Sequence, residues 1–333
     1  MRGLFAVETG KLGILKLPVP EPGPYQALLK TEACSICNST DTKLLKGQFF
    51  GGTWPLLLGH EDVGRVVKLG EGVQNYQLGD LVLRGTLQDE HVPYPGGRSC
   101  WGGFAEYNLV TDVWARDGLA VSPTTHPQQV VPASIPPIEA TALITLKENL
   151  SFVRRCDVAG RMVAVVGTGP VGQAMALFAR QLGARYVAVF GRQEKWRPRF
   201  DAVGADVYVV GDAWPRSVRE IVHSGGFDRG LEAVGSREAL AECVRLVGAR
   251  GQACVYGVAP SDEPHDAELR QQPNVIEPAV LEGEVHDEML ALVARGDIRL
   301  AEWVDVVLPL DEYARAFELV WSKQVSKVAL TLA

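Results

Sequence analysis

Reactive side-chain types crowd into two short stretches near the start of the chain. Cys34-Ser35-Ile36-Cys37-Asn38-Ser39-Thr40-Asp41 carries thiols, hydroxyls and a carboxylate, and Gly59-His60-Glu61-Asp62-Val63-Gly64 sets an imidazole beside two carboxylates. A cysteine and a histidine, with a carboxylate from later in the chain, can make a three-ligand zinc site with an open fourth position. The same residues admit a plainer reading. A free cysteine behaves as a small core hydrophobe, and a Gly-His pair suits a turn. Spacing alone leaves both readings open. Cys34 and Cys37 also form a C-x-x-C, but redox motifs of that spacing open a helix inside a βαβ unit, and the sequence around this one is β-rich.

A different chemistry is written at 162–182. The apolar run Met162-Val163-Ala164-Val165-Val166 breaks into Gly167-Thr168-Gly169-Pro170-Val171-Gly172, and a segment of helical period follows at once. Three glycines at G-x-G-x-x-G spacing between a strand and a helix form a dinucleotide-binding turn. Gly167 allows the tight turn, Gly169 lets backbone approach a pyrophosphate, and Gly172 lets the helix pack closely on the sheet. Thr168, Pro170 and Val171 complete the loop, whose free N–H groups and helix dipole attract phosphate. Pro170 fits because early helix positions have no intrahelical N–H partner. The fingerprint expects an acid about 20 residues past the first glycine, to bind the adenosine ribose 2′-hydroxyl. The sequence instead reads Gly191-Arg192, with Lys195 and Arg197 close behind. A small residue followed by arginine makes room for a 2′-phosphate and supplies a bidentate partner, which favours NADP(H) over NAD(H). The competing reading is a solvated basic loop.

These groups need elements to position them. Residues 1 to about 135 read as mostly β, with short apolar runs at 26–31, 62–68 and 80–83 punctuated by Gly and Pro. From about Glu139 the texture alternates between strand and helix. Strands are expected at 162–166, 186–190, 207–210, 230–233 and 252–257, and helices at 170–182, 194–203, 215–223 and 237–247. That rhythm is a parallel sheet with crossover helices. A polar loop follows Pro260, then a strand at 275–280, a helix at 285–295, a helix at 310–322 and a final strand at 327–332. The tail is too short to bury a core alone and is expected to return to the first domain.

Composition bounds the function. A chain of 333 residues with 47% hydrophobic content can fill two cores. Lys and Arg total 33 against 40 Asp and Glu, a formal charge of −7, with no basic tract, so nucleic acid is not an expected partner. No apolar run approaches the ~18 residues of a membrane helix, and the first residues do not read as a signal peptide. The 6 cysteines do not suggest a disulfide framework, so a reducing, cytoplasmic setting is expected.

Taken together, the motifs resemble one family. Gly59-His60-Glu61-Asp62-Val63-Gly64-Arg65-Val66 resembles the G-H-E-x-x-G-x-V signature of the zinc-dependent medium-chain dehydrogenase/reductase family, the alcohol and polyol dehydrogenases. Cys37 with Thr40-Asp41 resembles its Cys-Gly-Thr-Asp element, and Gly79-Asp80-Leu81-Val82, Gly102-Gly103-Phe104-Ala105-Glu106-Tyr107 and Phe227-Asp228 through Glu232-Ala233-Val234-Gly235 resemble further signatures in the family's order. The resemblance implies an α/β fold, a Rossmann doubly wound parallel sheet plus a β-rich GroES-like catalytic domain. The expected division is 1–139 with 285–333 for the catalytic domain and 140–284 for the nucleotide domain. It further implies one catalytic zinc held by Cys37, His60 and Glu139, with Glu61 binding the ion directly or sitting behind it. Asp41 orients that shell, and Ala233, Val234 and Gly257 join the cofactor-binding residues. The implied reaction passes a hydride between NADP(H) and a small-molecule secondary alcohol, polyol or sugar, or its ketone. A homodimer or homotetramer is the expected assembly.

The sequence departs from the family pattern in three places. One extra residue separates Cys37 from Thr40-Asp41, so the proton-relay hydroxyl is Ser39 or Thr40, with Thr40 favoured because Thr-Asp is the retained pair. Between Arg84 and Gly103 the only cysteine is Cys100, so no structural zinc is expected. Ile138-Glu139-Ala140 lacks the proline that often follows the glutamate. Phe49, Phe50, Trp54 and Trp101 flank the motifs as candidate pocket walls. Two rival readings remain: a zinc-free quinone or enone reductase of the same superfamily, and a nucleotide-binding protein without turnover.

Overall fold

A run of β-branched residues without polar alternation belongs in a strand covered on both faces. Met162–Val166 is such a strand, and the parallel sheet of the second half is wound around it. The computed structural model describes residues 1–49, 52–121, 126–258 and 266–332. Phe50 and most of the polar loop after Pro260 lie outside them. The chain divides into two compact units, Met1–Ile144 with Glu282–Ala333, and Thr145–Leu281.

In the second unit the strand order is Val207–Val210, Tyr186–Gly191, Met162–Val166, Arg229–Glu232, Gln252–Val255, Val275–Ile276, all parallel. The order steps outward in both directions from Met162–Val166, the doubly wound arrangement that gathers strand ends and helix starts along one edge. The helix Pro170–Gln181 buries Ala174, Met175, Phe178 and Ala179, a stripe at three- and four-residue spacing. Val166, Phe190, Val209, Phe227, Leu246 and Val255 fill a core.

Local chemistry trims two expected elements. The helix expected at 194–203 is a 3₁₀ turn, Glu194–Trp196, followed by a short helix, Arg197–Ala202. Pro198 lacks an N–H and its ring clashes with the carbonyl four residues back, so it is tolerated only in a first turn. The strand expected at 275–280 covers Val275–Ile276 alone, because Pro278 cannot donate to a ladder.

In the first unit, the larger sheet among the described residues runs Val306–Pro309, Val328–Thr331, Gln26–Ser35, Glu61–Leu69, Leu81–Leu83, Val130–Val131, with Tyr107–Thr111 also on Gln26–Ser35. Gln26–Ser35 is the hub. One edge pairs with Glu61–Leu69 along most of its length, and the other takes Tyr107–Thr111 over its first half and Val328–Thr331 at its end. Opposite Ser35 therefore lie Glu61 on one side and Ala329 on the other. Leu4, Phe104, Phe317 and Leu330 pack in the adjoining core. A smaller sheet orders Lys11–Lys16, Arg2–Glu8, Leu56–Leu57 and Arg98–Ser99. No described helix is long and apolar enough to cross a membrane.

Candidate metal centre and dinucleotide loop

Cys37 ends the extended segment after Gln26–Ser35 and caps the helix Asn38–Leu45. The helix starts there because Asp41 folds back: its Oδ2 accepts from the Cys37 N–H at 2.9 Å, while its own N–H donates to the Cys37 carbonyl at 2.9 Å. Asp41 is fully buried, and its Oδ1 lies 3.6 Å from His60 Nδ1. One carboxylate thus faces both the thiol-bearing backbone and the imidazole. Ser39 is on the exposed side of the helix, its Oγ accepting from Lys43 Nζ at 2.9 Å, whereas Thr40 is half-buried.

His60 is presented by a turn that only glycine can make. Gly59 has φ +98°, and a Cβ there would sit 2.4 Å from the Phe104 nitrogen, a left-handed conformation in close backbone contact. The Gly103 N–H donates to the Gly59 carbonyl at 2.7 Å, and Arg84 Nη1 donates to the His60 carbonyl at 3.0 Å. Arg84 is itself paired with Glu282 at 2.7 Å. Because His60 stands in the turn and Glu61 opens the strand, the two neighbours need not point to opposite faces. The Trp101 indole lies against the imidazole with centroids 5.1 Å apart. Burial pushes the His60 pKa down, but Asp41 and Cys37 raise it well above the usual histidine value. Asp62, fully buried one residue beyond Glu61, is pushed up to about 7 by burial, with Arg84 pulling back.

Among the described residues, Cys37, His60 and Glu61 form a group whose donor atoms all lie within 4.8 Å of one another. His60 Nδ1 and Asp41 Oδ1 are buried and make no hydrogen bond. A thiol, an imidazole and a carboxylate at this spacing fit a divalent ion of zinc's borderline softness. Glu139 is half-buried in the first turn of Pro137–Arg155 and is not one of the three donors within that distance. There its charge is favoured by the helix dipole. Cys34, the other half of the C-x-x-C, is buried among Ile36, Leu44 and Phe104, where burial pushes its thiol well up. Phe49 and Trp54 pack against that same core as partly buried residues. Lys327, at the far end of the chain, is buried and donates to Glu61 Oε2. Sequence reasoning missed it, because a single lysine ahead of a terminal strand carries no pattern.

In the second unit the glycine loop divides its labour. Gly167 has φ +124°, and a Cβ there would meet Val234 Cγ2 at 2.8 Å; one on Gly172 would meet the Gly167 carbonyl oxygen at 2.1 Å. Gly169, the N-cap of Pro170–Gln181, has nothing within 4 Å of a would-be Cβ. Folding does not require glycine there, so the open space fits a cofactor's phosphates. Glu232 shapes the facing loop: Oε1 accepts from the Val234 and Gly235 N–H groups at 2.7 and 2.8 Å, and Oε2 from Gly257 at 3.2 Å. Ala233 and Val234 thereby lie beside Gly167, and Gly257 lies against Gly235. Thr168 and Tyr208 close around Gly191, whose would-be Cβ meets Thr168 Cγ2 and the Tyr208 hydroxyl at 2.5 Å each. An acid at 191 would therefore collide with both. Arg192 is exposed, and Lys195 lies over the Trp196 ring at 4.8 Å.

Comparison with known proteins agrees with this architecture. The family model for the alcohol dehydrogenase GroES-like domain matches residues 23–116, and that for zinc-binding dehydrogenase matches residues 170–292. The chain is 27% identical over 346 residues to an L-threonine 3-dehydrogenase of Xanthomonas oryzae pv. oryzae, covering 99% of each. It is 30% identical over 258 residues to the L-threonine 3-dehydrogenase of Pyrococcus furiosus, covering 74% of this chain and 72% of that one. Among solved structures, a zinc-binding dehydrogenase of Sinorhizobium meliloti bound to NADP is 27% identical with a TM-score of 0.77, covering 99% of this chain and 98% of that chain. An alcohol dehydrogenase of Thermus sp. ATN1 is 25% identical with a TM-score of 0.79, covering 99% of each. The chain belongs to the zinc-dependent medium-chain dehydrogenase/reductase family and is an oxidoreductase of the NAD(P)-dependent alcohol dehydrogenase type.

Proposed function

We propose that this enzyme interconverts a secondary alcohol and its ketone with NADP(H), at one zinc ion held by Cys37, His60 and Glu61. The observation that carries this reading is the gathering of those three donors within 4.8 Å, with Asp41 behind two of them. A bound zinc ion would supply Lewis acidity toward the alcohol or ketone oxygen. The protein's own residues do the rest. Asp41 fixes the Cys37 backbone and orients the His60 ring, as outer carboxylates do at metal sites. Thr40 Oγ1 relays the hydroxyl proton, accepting it as its own O–H passes a proton onward toward solvent in oxidation and running the same relay backwards in reduction, whereas the Ser39 hydroxyl accepts from Lys43. Trp101 walls the site beside His60.

In the second unit, Gly167, Thr168, Gly169, Pro170, Val171 and Gly172 bind the pyrophosphate, and Gly191, Arg192 and Lys195 receive the 2′-phosphate. The absence of an acid at 191, where any side chain would need Thr168 and Tyr208 to shift, together with the exposed Arg192 beside it supports NADP(H). The threonine dehydrogenases it resembles act on a secondary alcohol, so 2-amino-3-hydroxy acids belong beside polyols, sugars and simple secondary alcohols in the substrate panel.

The test combines metal analysis of the purified protein with that panel run on both cofactors. One zinc per chain with alcohol oxidation is expected. No zinc, with reduction of quinones or enones, would move the enzyme to the zinc-free branch. Zinc loss in Glu139→Gln but not in Glu61→Gln would transfer the carboxylate role to Glu139.

A further inference from the structure

The strand Leu81–Leu83 runs antiparallel to Glu61–Leu69, with Val63 opposite Leu83. The ladder continues by one rung, the Arg84 N–H donating to the Asp62 carbonyl at 2.9 Å. Kept in register, the next rung would carry the Thr86 N–H to the His60 carbonyl. It does not form. Arg84 is left-handed, with φ +59°, a conformation arginine rarely adopts, and the chain turns away. The Thr86 N–H donates to the Leu109 carbonyl at 2.8 Å instead, and Gln128 Nε2 fixes the turn by donating to the Arg84 carbonyl at 2.9 Å. A side chain supplies the missing donor: Arg84 Nη1 donates to the His60 carbonyl at 3.0 Å. Arg84 Nε meets Glu282 Oε1 at 2.7 Å, the two side chains being only 14% and 10% exposed. Glu282 is the first residue of the chain where it re-enters this unit, and the carbonyl of the next residue, Gly283, accepts from Gln129 Nε2 at 3.0 Å. The anchor behind Arg84 is thus itself held.

The carbonyl that Arg84 holds belongs to the peptide joining His60 to Glu61, two of the three proposed ligands. Rotating that one peptide plane would swing both side chains, and a metal site tolerates only small displacements of its ligands. We infer that Arg84 is a positioning residue for the metal centre: its guanidinium, held by Glu282, replaces a lost rung of the sheet and fixes the peptide from which His60 and Glu61 project. This rests on the proposed metal site. A merely structural ion pair predicts something else, a lower melting temperature of the metal-free chain with the metal affinity and spectrum of the folded protein unchanged.

The experiment is cobalt substitution of the full chain, with affinity measured against a competing chelator and the visible d–d bands recorded. Arg84→Gly suits the left-handed backbone and removes the guanidinium. Its cobalt affinity is expected to fall about tenfold, the lower end for outer partners of metal ligands, with the bands shifted from those of the unaltered chain. Glu282→Gln, which keeps an acceptor for Arg84 but not the charge, is expected to lose affinity by less. Because Glu282 acts on His60 through Arg84, the double variant is expected to bind cobalt no more weakly than Arg84→Gly. Unchanged affinity and bands in a folded Arg84→Gly overturn the inference, and additive losses in the double variant overturn the part assigned to Glu282. If Arg84→Gly does not fold, because Glu282 is left buried without its counter-charge, the double variant carries neither charge and is read in its place by the same two measurements. An unaltered chain that takes up neither zinc nor cobalt overturns the metal assignment itself and the inference with it, a result distinct from unchanged binding in the variants.

Discussion

The two working regions of this enzyme are built on opposite plans. The dinucleotide loop is one unbroken stretch, 167–172, in which glycines a few residues apart clear space for each other and for phosphate. The proposed metal centre is stitched from segments far apart in the chain: Cys37 at a helix cap, His60 and Glu61 at a turn and strand start, and Lys327 near the end. A contiguous site is set by local backbone chemistry, and changing it disturbs its own fold. A stitched site depends on sheet register, so single side chains can be removed with chemistry lost and the fold kept.

Variants can break or sharpen that contrast. The largest effect is expected from Cys37→Ala, which removes a ligand at a half-buried position. kcat/KM should fall about 10³-fold or more, the several kcal/mol of charge stabilisation a metal supplies. The melting temperature of the metal-free forms should stay close to the unaltered protein's. A large drop in melting temperature would show that the stitched site also holds the fold.

Next come paired glycine changes. Gly172→Ala puts a methyl 2.1 Å from a carbonyl oxygen and should cost about 1–3 kcal/mol of stability through overpacking. Gly169→Ala meets nothing, so stability should hold while NADP(H) affinity falls about tenfold or more from the collision with the pyrophosphate. Calorimetry and cofactor titration separate them, and equal stability losses would refute the division of labour. Arg192→Ala should raise the KM for NADP(H) about tenfold, the worth of a charge-assisted hydrogen bond, and leave NAD(H) unaffected. A parallel change in both cofactors would refute a 2′-phosphate role.

The smallest effect tests stitching without catalysis. Asp112 ties its own helix start to a loop nearly 40 residues upstream, accepting from Gln74 and Asn75 N–H and Asn75 Nδ2 at 2.8 Å each and from Ala115 N–H at 3.1 Å. Burial pushes its carboxyl up, but the hydrogen bonds from Asn75, Gln74 and Ala115 hold it below the usual carboxylate range. A depressed folded-state pKa gives stability that is present above the unfolded value of about 4 and lost as pH falls through the folded one. Asp112→Asn should therefore cost about 1–2 kcal/mol at pH 7 and much less in strong acid. Equal losses in urea unfolding at both pH values would refute the assignment.

What could be read along the chain followed the same divide. The strands Met162–Val166 and Val207–Val210 and the helix Arg237–Val247 match their expected bounds, because buried parallel strands and amphipathic helices write their period into consecutive residues. The helix Asn38–Leu45 was not legible. Asn, Ser, Thr and Asp favour caps and turns over helix interiors, and only Asp41, Leu44 and Leu45 are buried there. It forms because Asp41 reaches back to Cys37 and the leucines find a core.

The sequence alone determined the fold class, the phosphate loop and the residue types on offer at the metal centre, since each is fixed by neighbours within a few residues. Only the tertiary structure brings Glu61 near Cys37 as well as His60 and seats a buried lysine against it. Those choices depend on which strands lie side by side at Ser35, and pairing between segments hundreds of residues apart leaves no local trace.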